Sequence, residues 1–247
     1  MTSDHSLAAH IATDAGQLLL AIRAEHADAD PSVLRKAGDH RAQEAIAAAL
    51  QQARPDDSVL SEEAADDLAR LHAVRVWIVD PLDGTREYSE VGRTDWAVHV
   101  ALWQAGQLVA GAVALPALGV TLSTAEPTEL PPAYGGPPRL IVSRTRAPAL
   151  VSSVCEQVGG VTIPLGSAGA KAMAVVRGEA DGYLHAGGQY EWDSAAPVAV
   201  ATAAGLHTSR LDGSPLRYNN ENPYLPDLLI CRPELAAQLL AAVVAAG

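Results

Sequence analysis

The chain has 247 residues, 49% of them hydrophobic, and a formal net charge of −12. That apolar content excludes a disordered chain, and the acidic balance excludes a nucleic-acid polymer or an anionic lipid surface as the partner. Phe is absent, so Ala, Val and Leu must build the interior.

Leu7, Ile11, Leu18, Leu19 and Ile22 fall near one stripe and predict a first helix, with Pro31 in the loop that follows. A second helix is predicted from about Asp39 to Ala53, stopped by Arg54-Pro55-Asp56-Asp57. Ser58-Val59-Leu60 reads as a short strand ending in Ser61-Glu62-Glu63, and Val74–Val79 as a strand running into Asp80-Pro81-Leu82-Asp83-Gly84-Thr85. From Asp95 to Trp103 the pattern alternates, with Trp96, Val98, Val100 and Leu102 on one face. Leu108–Leu115 and Val120–Thr124 read as its antiparallel neighbours. The Pro- and Gly-rich stretch 127–138 separates an N-terminal half, 1–135, from a C-terminal half, 139–247, the two forming one unit.

In the second half, strands near Leu140–Ser143, Val161–Leu165, Ala180–His185 and Leu228–Arg232 alternate with helices. Those helices lie near Ala147–Val158, Ala168–Arg177, Asp193–Ala204 and Pro233–Ala246. Local pairing followed by alternation predicts a layered α/β (α+β) sandwich. Cys155 and Cys231 share no metal-like spacing, which points to a reducing compartment. The N-terminus lacks the basic start of a signal peptide, and no apolar run reaches the ~18 residues of a membrane span. The expected location is the cytoplasm, with no membrane partner.

Three acidic segments carry the chemistry. Asp80 and Asp83 stand three positions apart at the carboxyl end of a buried strand, the edge where α/β sheets bind ligands. Pro81 biases Asp80 towards extended geometry, Gly84 permits close backbone approach, and a helix starting at Thr85 would offer free N–H groups to a phosphate. Paired carboxylates beside such a seat suit Mg²⁺. Read structurally, the same turn is Asp-rich and caps backbone donors. Glu62 and Glu63 sit among Asp56, Asp57, Asp66 and Asp67, the composition of a solvated acidic loop. Asp193, in Glu191-Trp192-Asp193-Ser194, fits an N-cap, with Pro197 in an early helical turn. His99 and His185 fall within strand patterns and read as packing or surface residues.

Together the strand-DPLDGT element, the upstream acidic pair and the Trp-Asp opening an Ala-rich helix resemble the inositol monophosphatase superfamily. Gly84-Thr85-Arg86-Glu87-Tyr88, Ser143-Arg144, Gly166–Lys171 and Ala186–Asp193 are similar to its CysQ-type subgroup, the 3′-phosphoadenosine 5′-phosphate phosphatases. The resemblance implies an α-β-α-β-α sandwich and a lithium-sensitive, Mg²⁺-dependent phosphomonoesterase acting on a small phosphate monoester, with a homodimer permitted. For the subgroup it implies removal of the 3′-phosphate from that nucleotide, or from its sulfated form, to give AMP during sulfate assimilation. Inositol phosphate or fructose 1,6-bisphosphate in the same site stays open, as does a non-catalytic metal and phosphate sensor.

Residue by residue, the resemblance assigns one Mg²⁺ to Glu62, Asp80 and the Leu82 carbonyl, and a second to Asp80, Asp83 and Asp193. A third, weaker ion would share Glu62. The Gly84 and Thr85 amides would bind phosphate oxygens, and Thr85 with Asp39 would polarise the attacking water for in-line displacement. Lys36-Ala37-Gly38-Asp39 is shorter than the family's usual stretch. Ser167 and Lys171 fall on the substrate side; Lys171, Arg144 or Arg86 either offsets a second phosphate or is an ordinary surface cation, and either Tyr190 and Trp192 flank the base or Trp192 is core. An Asp83→Asn variant is expected to lose turnover and keep its fold.

Overall fold

The computed structural model describes residues 2–145 and 147–246. Helices α1 (Asp4–Glu25) and α2 (Pro31–Ala53) open the chain and pack on one face of a five-stranded sheet. Its strands are β1 (Ser58–Ser61), β2 (Arg75–Asp83), β3 (Ala97–Gln104), β4 (Gln107–Leu115) and β5 (Val120–Ser123), in spatial order β1-β2-β3-β4-β5. Only β1 runs parallel to its neighbour; the rest pair antiparallel, as adjacent strands with short connections do. A single turn of helix, α3 (Thr85–Ser89), follows β2.

The second half holds β6 (Arg139–Ser143), α4 (Ala149–Gln157), β7 (Val161–Leu165), α5 (Ala168–Val176), β8 (Gly182–Tyr190), α6 (Glu191–Ala203), β9 (His207–Ser209), β10 (Tyr224–Cys231) and α7 (Pro233–Ala246). Its strands form a second sheet in the order β7-β6-β8-β10-β9. Strand alternation sorts the core into three clusters. Trp77, Val79, Trp96, Val98, Val100 and Leu102 face α1 and α2. Val76, Ile78, Ala101 and Val113 face α5 and α6, which meet Ile141, Tyr183 and Ile230 of the second sheet on their far side. Leu140, Leu184, Leu229 and Cys231 turn outward onto α4 and α7. The layers are therefore α-β-α-β-α. Both cysteines are buried and free. Among the described residues no helix is long and apolar enough to cross a membrane.

Three local expectations change. Pro31 is not in a loop: Asp30 caps α2, its Oδ1 accepting the Ser32 amide at 2.8 Å, and Pro31 takes the first helical turn, where its missing N–H costs nothing. Strand β8 runs on through Gly187 and Gly188 to Tyr190 instead of stopping at His185. Gly188 has φ 84°, and a Cβ there would overlap the Tyr224 ring, so that glycine accommodates Tyr224. Pro197 is early in α6, in its second turn, but beyond the positions whose N–H groups are free, so it leaves the Asp193 carbonyl without its helical donor.

Candidate active site

Strand β2 carries both aspartates of the DPLDGT turn, and its pairing with β3 slips between Asp80 and Asp83. The slip lets Asp80 and Asp83 point into one place although three residues separate them. Helix α6 brings Asp193 there. Carboxylate oxygens of Asp80, Asp83 and Asp193 all lie within 4.8 Å of one another. Asp80 and Asp83 are buried, and Asp193 is half-buried. Asp193 does not cap α6; Tyr190 is the cap, and Asp193 reaches back from the third helical position to accept the Tyr190 amide at 2.6 Å.

The three aspartates differ in their partners. Asp80 Oδ1 accepts the Leu82 amide at 3.0 Å. Burial, and then the charges of Glu62, Asp83 and Asp193, push its carboxyl well above the usual range. Burial and then Asp83 push Asp193 up to about 6. Burial alone would raise Asp83 too. The adjacent His99 ring, the Ser167 hydroxyl and the Gly169 amide outweigh it and hold Asp83 down at about 2. Asp83 accepts the Ser167 hydroxyl, the Ala168 amide at 3.0 Å and the Gly169 amide at 2.6 Å. It thereby caps α5 from outside, with the favourable end of the helix dipole added. Loss of that carboxylate touches the fold as well as the chemistry, contrary to the sequence expectation for Asp83→Asn.

His99 is fully buried behind these groups. Its Nδ1 lies 3.0 Å from the Trp192 carbonyl, and its Nε2 lies 3.2 Å from Asp83 Oδ2, off line for a hydrogen bond. A Cβ on residue 169 would overlap Nε2, so only glycine fits at the start of α5.

Glu62 follows β1 at the solvent side of the cluster. Burial of its carboxyl and then the Asp193 charge raise it to about 7. Asp39 lies on the third turn of α2, also raised to about 7, by burial and then by Glu63. It is not brought into the three-aspartate cluster. The Thr85 hydroxyl donates to the Leu82 carbonyl at 3.2 Å, not to Asp39. Gly84 caps α3 with φ 83°, and the first amides of that turn have no helical acceptor.

Beside this turn is a cavity of about 260 Å³ lined by Gly84, Thr85, Arg86, Arg144, Ser167 and Lys171. Lys171 is buried and stands over the Tyr183 ring at 4.9 Å; among the described residues no carboxylate comes within ion-pair distance of it. Burial lowers its ammonium, against the pull of Asp83 and Asp193. Arg144 pairs with Glu87 at 2.7 Å and Glu90 at 3.0 Å. Ser167 adopts φ 52°, rare for a side-chain-bearing residue; its hydroxyl takes the Ala170 amide at 3.0 Å while donating to Asp83. A second cavity of about 440 Å³ shares Ser143 and Thr145 with the first and extends past Tyr183, His185 and Gly188.

Residues 5–128 and 138–247 match the Inositol monophosphatase family. This chain belongs to that family.

Within the inositol monophosphatase family, the 3′-phosphoadenosine 5′-phosphate phosphatase of Mycobacterium tuberculosis is 54% identical, covering 93% of this chain and 89% of its own length. The Mycobacterium leprae protein of the same name is 51% identical over 98% of this chain and 93% of its own. The 3′(2′),5′-bisphosphate nucleotidase CysQ of Escherichia coli is 34% identical over 76% and 81%. Among solved structures, CysQ from Bacteroides thetaiotaomicron superposes with a TM-score of 0.78 at 27% identity, over 93% of this chain and 97% of that one.

Sequence reasoning missed the depth of His99 and the capping of α5 by Asp83. The rings of Tyr190 and Trp192 stack on each other, centroids 4.8 Å apart and planes 10° apart, leaving no slot between them, and Trp192 packs against the core, the second of its two sequence readings. Local alternation placed His99 on β3 but not its partners, which arrive from residues 167–169 and 192.

Proposed function

We propose that this protein is a Mg²⁺-dependent phosphomonoesterase that removes the 3′-phosphate of 3′-phosphoadenosine 5′-phosphate to give AMP, and accepts 3′-phosphoadenylyl sulfate as well. The observation that carries the reading is the meeting of Asp80, Asp83 and Asp193 within 4.8 Å beside the Gly84–Thr85 helix start and the Lys171 cavity. Relatives at 51–54% identity with that activity in their names support the choice of substrate.

The donor set fits hard divalent cations: carboxylate oxygens, two of the three aspartates buried, whose mutual repulsion needs compensation. Asp80, Asp83, Asp193, Glu62 and the Leu82 carbonyl would hold two or three of them. Bound there, such cations would supply an activated water and charge to offset the phosphate oxygens. The amides of Gly84 and Thr85 orient the phosphate. The Thr85 hydroxyl directs the attacking water, and Asp39 serves as its partner only once that hydroxyl leaves the Leu82 carbonyl. Lys171 and Arg144 receive the second phosphate of a bisphosphate. Ser167 and Asp193 border that substrate.

Phosphate release tests the reading, measured for adenosine bisphosphate, its sulfated form, inositol 1-phosphate and fructose 1,6-bisphosphate, with and without Mg²⁺. Release from the adenosine compounds with a kcat/KM at least tenfold above the others, and only with cation, is expected. A higher kcat/KM on inositol 1-phosphate would reverse the substrate assignment, and release without cation would end the mechanism. Lys171→Met is expected to raise KM for the bisphosphate by about 10–100-fold, the scale of a lost charge-assisted contact, and to leave KM for 3′-AMP nearly unchanged.

A further inference from the structure

Away from the carboxylate cluster, the chain buries a second polar assembly. Arg70, in the 3₁₀ turn Leu68–His72, is 1% exposed. Its Nε and one Nη form a fork on Asp66, at 2.6 and 2.9 Å. The other Nη donates to Asn219 Oδ1 at 2.7 Å, and Nη2 also reaches the Asn220 carbonyl at 2.9 Å. Asn219 Nδ2 donates back to the Arg70 carbonyl at 3.2 Å.

The same two asparagines grip Glu191, the first residue of α6 and itself 1% exposed. Glu191 Oε2 accepts the Asn219 amide at 2.6 Å; Oε1 accepts the Asn220 amide at 2.9 Å and its Nδ2 at 2.7 Å. The Glu191 amide donates to the Pro223 carbonyl at 2.8 Å, so the loop is tied to the helix start at two points. Asn219 adopts φ 62° to do this.

Buried charges are expensive, and a well-packed apolar group of similar volume serves stability as well or better. What this assembly provides is a fixed distance. Asp66 lies four residues after Glu62, and Glu191 two residues before Asp193. Glu62 follows a strand of the first sheet, whereas Asp193 rides on a helix of the middle layer.

We propose that Asp66, Arg70, Asn219, Asn220 and Glu191 form a positioning bracket that sets the separation of Glu62 and Asp193, and through it the affinity for the divalent cation. The inference rests on the reading that those two carboxylates hold cation. Partners behind ligands typically govern affinity at this level, by ~10–100-fold.

The test titrates Mg²⁺ calorimetrically into the parent protein and into Glu191→Gln, Arg70→Lys and Asn220→Ala, with melting curves and kinetics at saturating Mg²⁺ alongside. Arg70→Lys keeps the charge but loses the fork. Asn220→Ala removes one exposed side chain, keeps both backbone contacts and leaves the core untouched. Glu191→Gln and Arg70→Lys are expected to weaken Mg²⁺ binding about 10–100-fold, and Asn220→Ala about 3–10-fold. In each, kcat at saturating Mg²⁺ and KM for the nucleotide stay within about threefold. A folded Asn220→Ala or Glu191→Gln protein that binds Mg²⁺ as the parent does overturns the bracket and leaves the cation site standing. A parent that binds no Mg²⁺ overturns the site reading and the bracket with it.

Discussion

Asp80 and Asp83 leave the same strand three residues apart, yet their surroundings are opposite. At the β2–α5 junction, Asp83 collects a hydroxyl and two amides and has His99 Nε2 at 3.2 Å. In the heart of the cluster, Asp80 collects one amide, has His99 Nδ1 no nearer than 4.0 Å and feels three other carboxyl groups. The first region is already balanced by the protein's own donors. The second is not, and a bound cation would relieve it. The comparison separates a carboxylate that holds the fold together from one whose neighbours leave its charge opposed.

The most forceful way to break this contrast is to neutralise each aspartate in turn. Asp80→Asn and Asp83→Asn are both expected to lower kcat/KM by about 10³-fold or more, the scale of removing a group that stabilises transition-state charge. Their melting temperatures should diverge. Asp83→Asn places an amide nitrogen against donor groups, costs about 1.5–3 kcal/mol for charge-assisted bonds, and lowers Tm by roughly 4–10 °C for a chain of this size. Asp80→Asn relieves repulsion and should melt at or above the parent temperature in metal-free buffer. Equal losses of Tm would erase the distinction.

A smaller effect is expected at residue 169. Gly169→Ala forces a methyl onto His99 Nε2, and relief by displacement of the ring or of α5 costs about 1–3 kcal/mol. Calorimetric unfolding should show it, with activity falling because Asp83 moves with the helix. Wild-type stability together with wild-type activity would mean that the contact is slack.

The smallest and most graded test uses pH. Glu62 and Asp193 have carboxyl groups raised to about 7 and about 6 in the folded chain. The folded state therefore binds more protons than the unfolded state between ordinary carboxylate values and those values. Metal-free stability must fall as pH rises from about 4.5 to 7 from these groups. Asp83 has the opposite sign: its contribution is present above its unfolded value near 4 and disappears as pH falls towards 2. Melting curves in chelator should trace the decline between pH 5 and 7. Mg²⁺ should restore most stability near pH 8 and least near pH 5. A flat chelator profile would show that the cluster carries no repulsion.

How much of this was readable from the residues depends on range. Alternation identified both faces of β3, and the DPLDGT turn and Trp-Asp pair pointed to the place where Asp80, Asp83 and Asp193 meet. The first two turns of α2 escape the periodicity although Asp30-Pro31-Ser32 is a sound helix start, because proline marks helix starts and helix breaks alike. The three-residue β9 is too short to carry a period; it exists because β10 offers it an edge. The Arg70–Asn219 contact joins residues 149 positions apart, and no local pattern encodes it. Composition marks Asp66 and Glu191 as ordinary acidic residues; only the folded chain shows Asp66 forked on a buried arginine and Glu191 buried against two asparagines.

The middle layer has a further consequence for how the protein is made. A ribosome delivers Glu62, Asp80 and Asp83 more than a hundred residues before Asp193. Until α5 and α6 emerge, the inner face of the first sheet, with Val76, Ile78, Ala101 and Val113, has nothing of its own chain to cover it. The nascent N-terminal half thus displays an oily surface beside an unfinished nest of negative charge, the kind of intermediate that holding chaperones catch. Synthesis of the last quarter of the chain closes both defects together, when one helix shields the sheet and supplies the missing carboxylate.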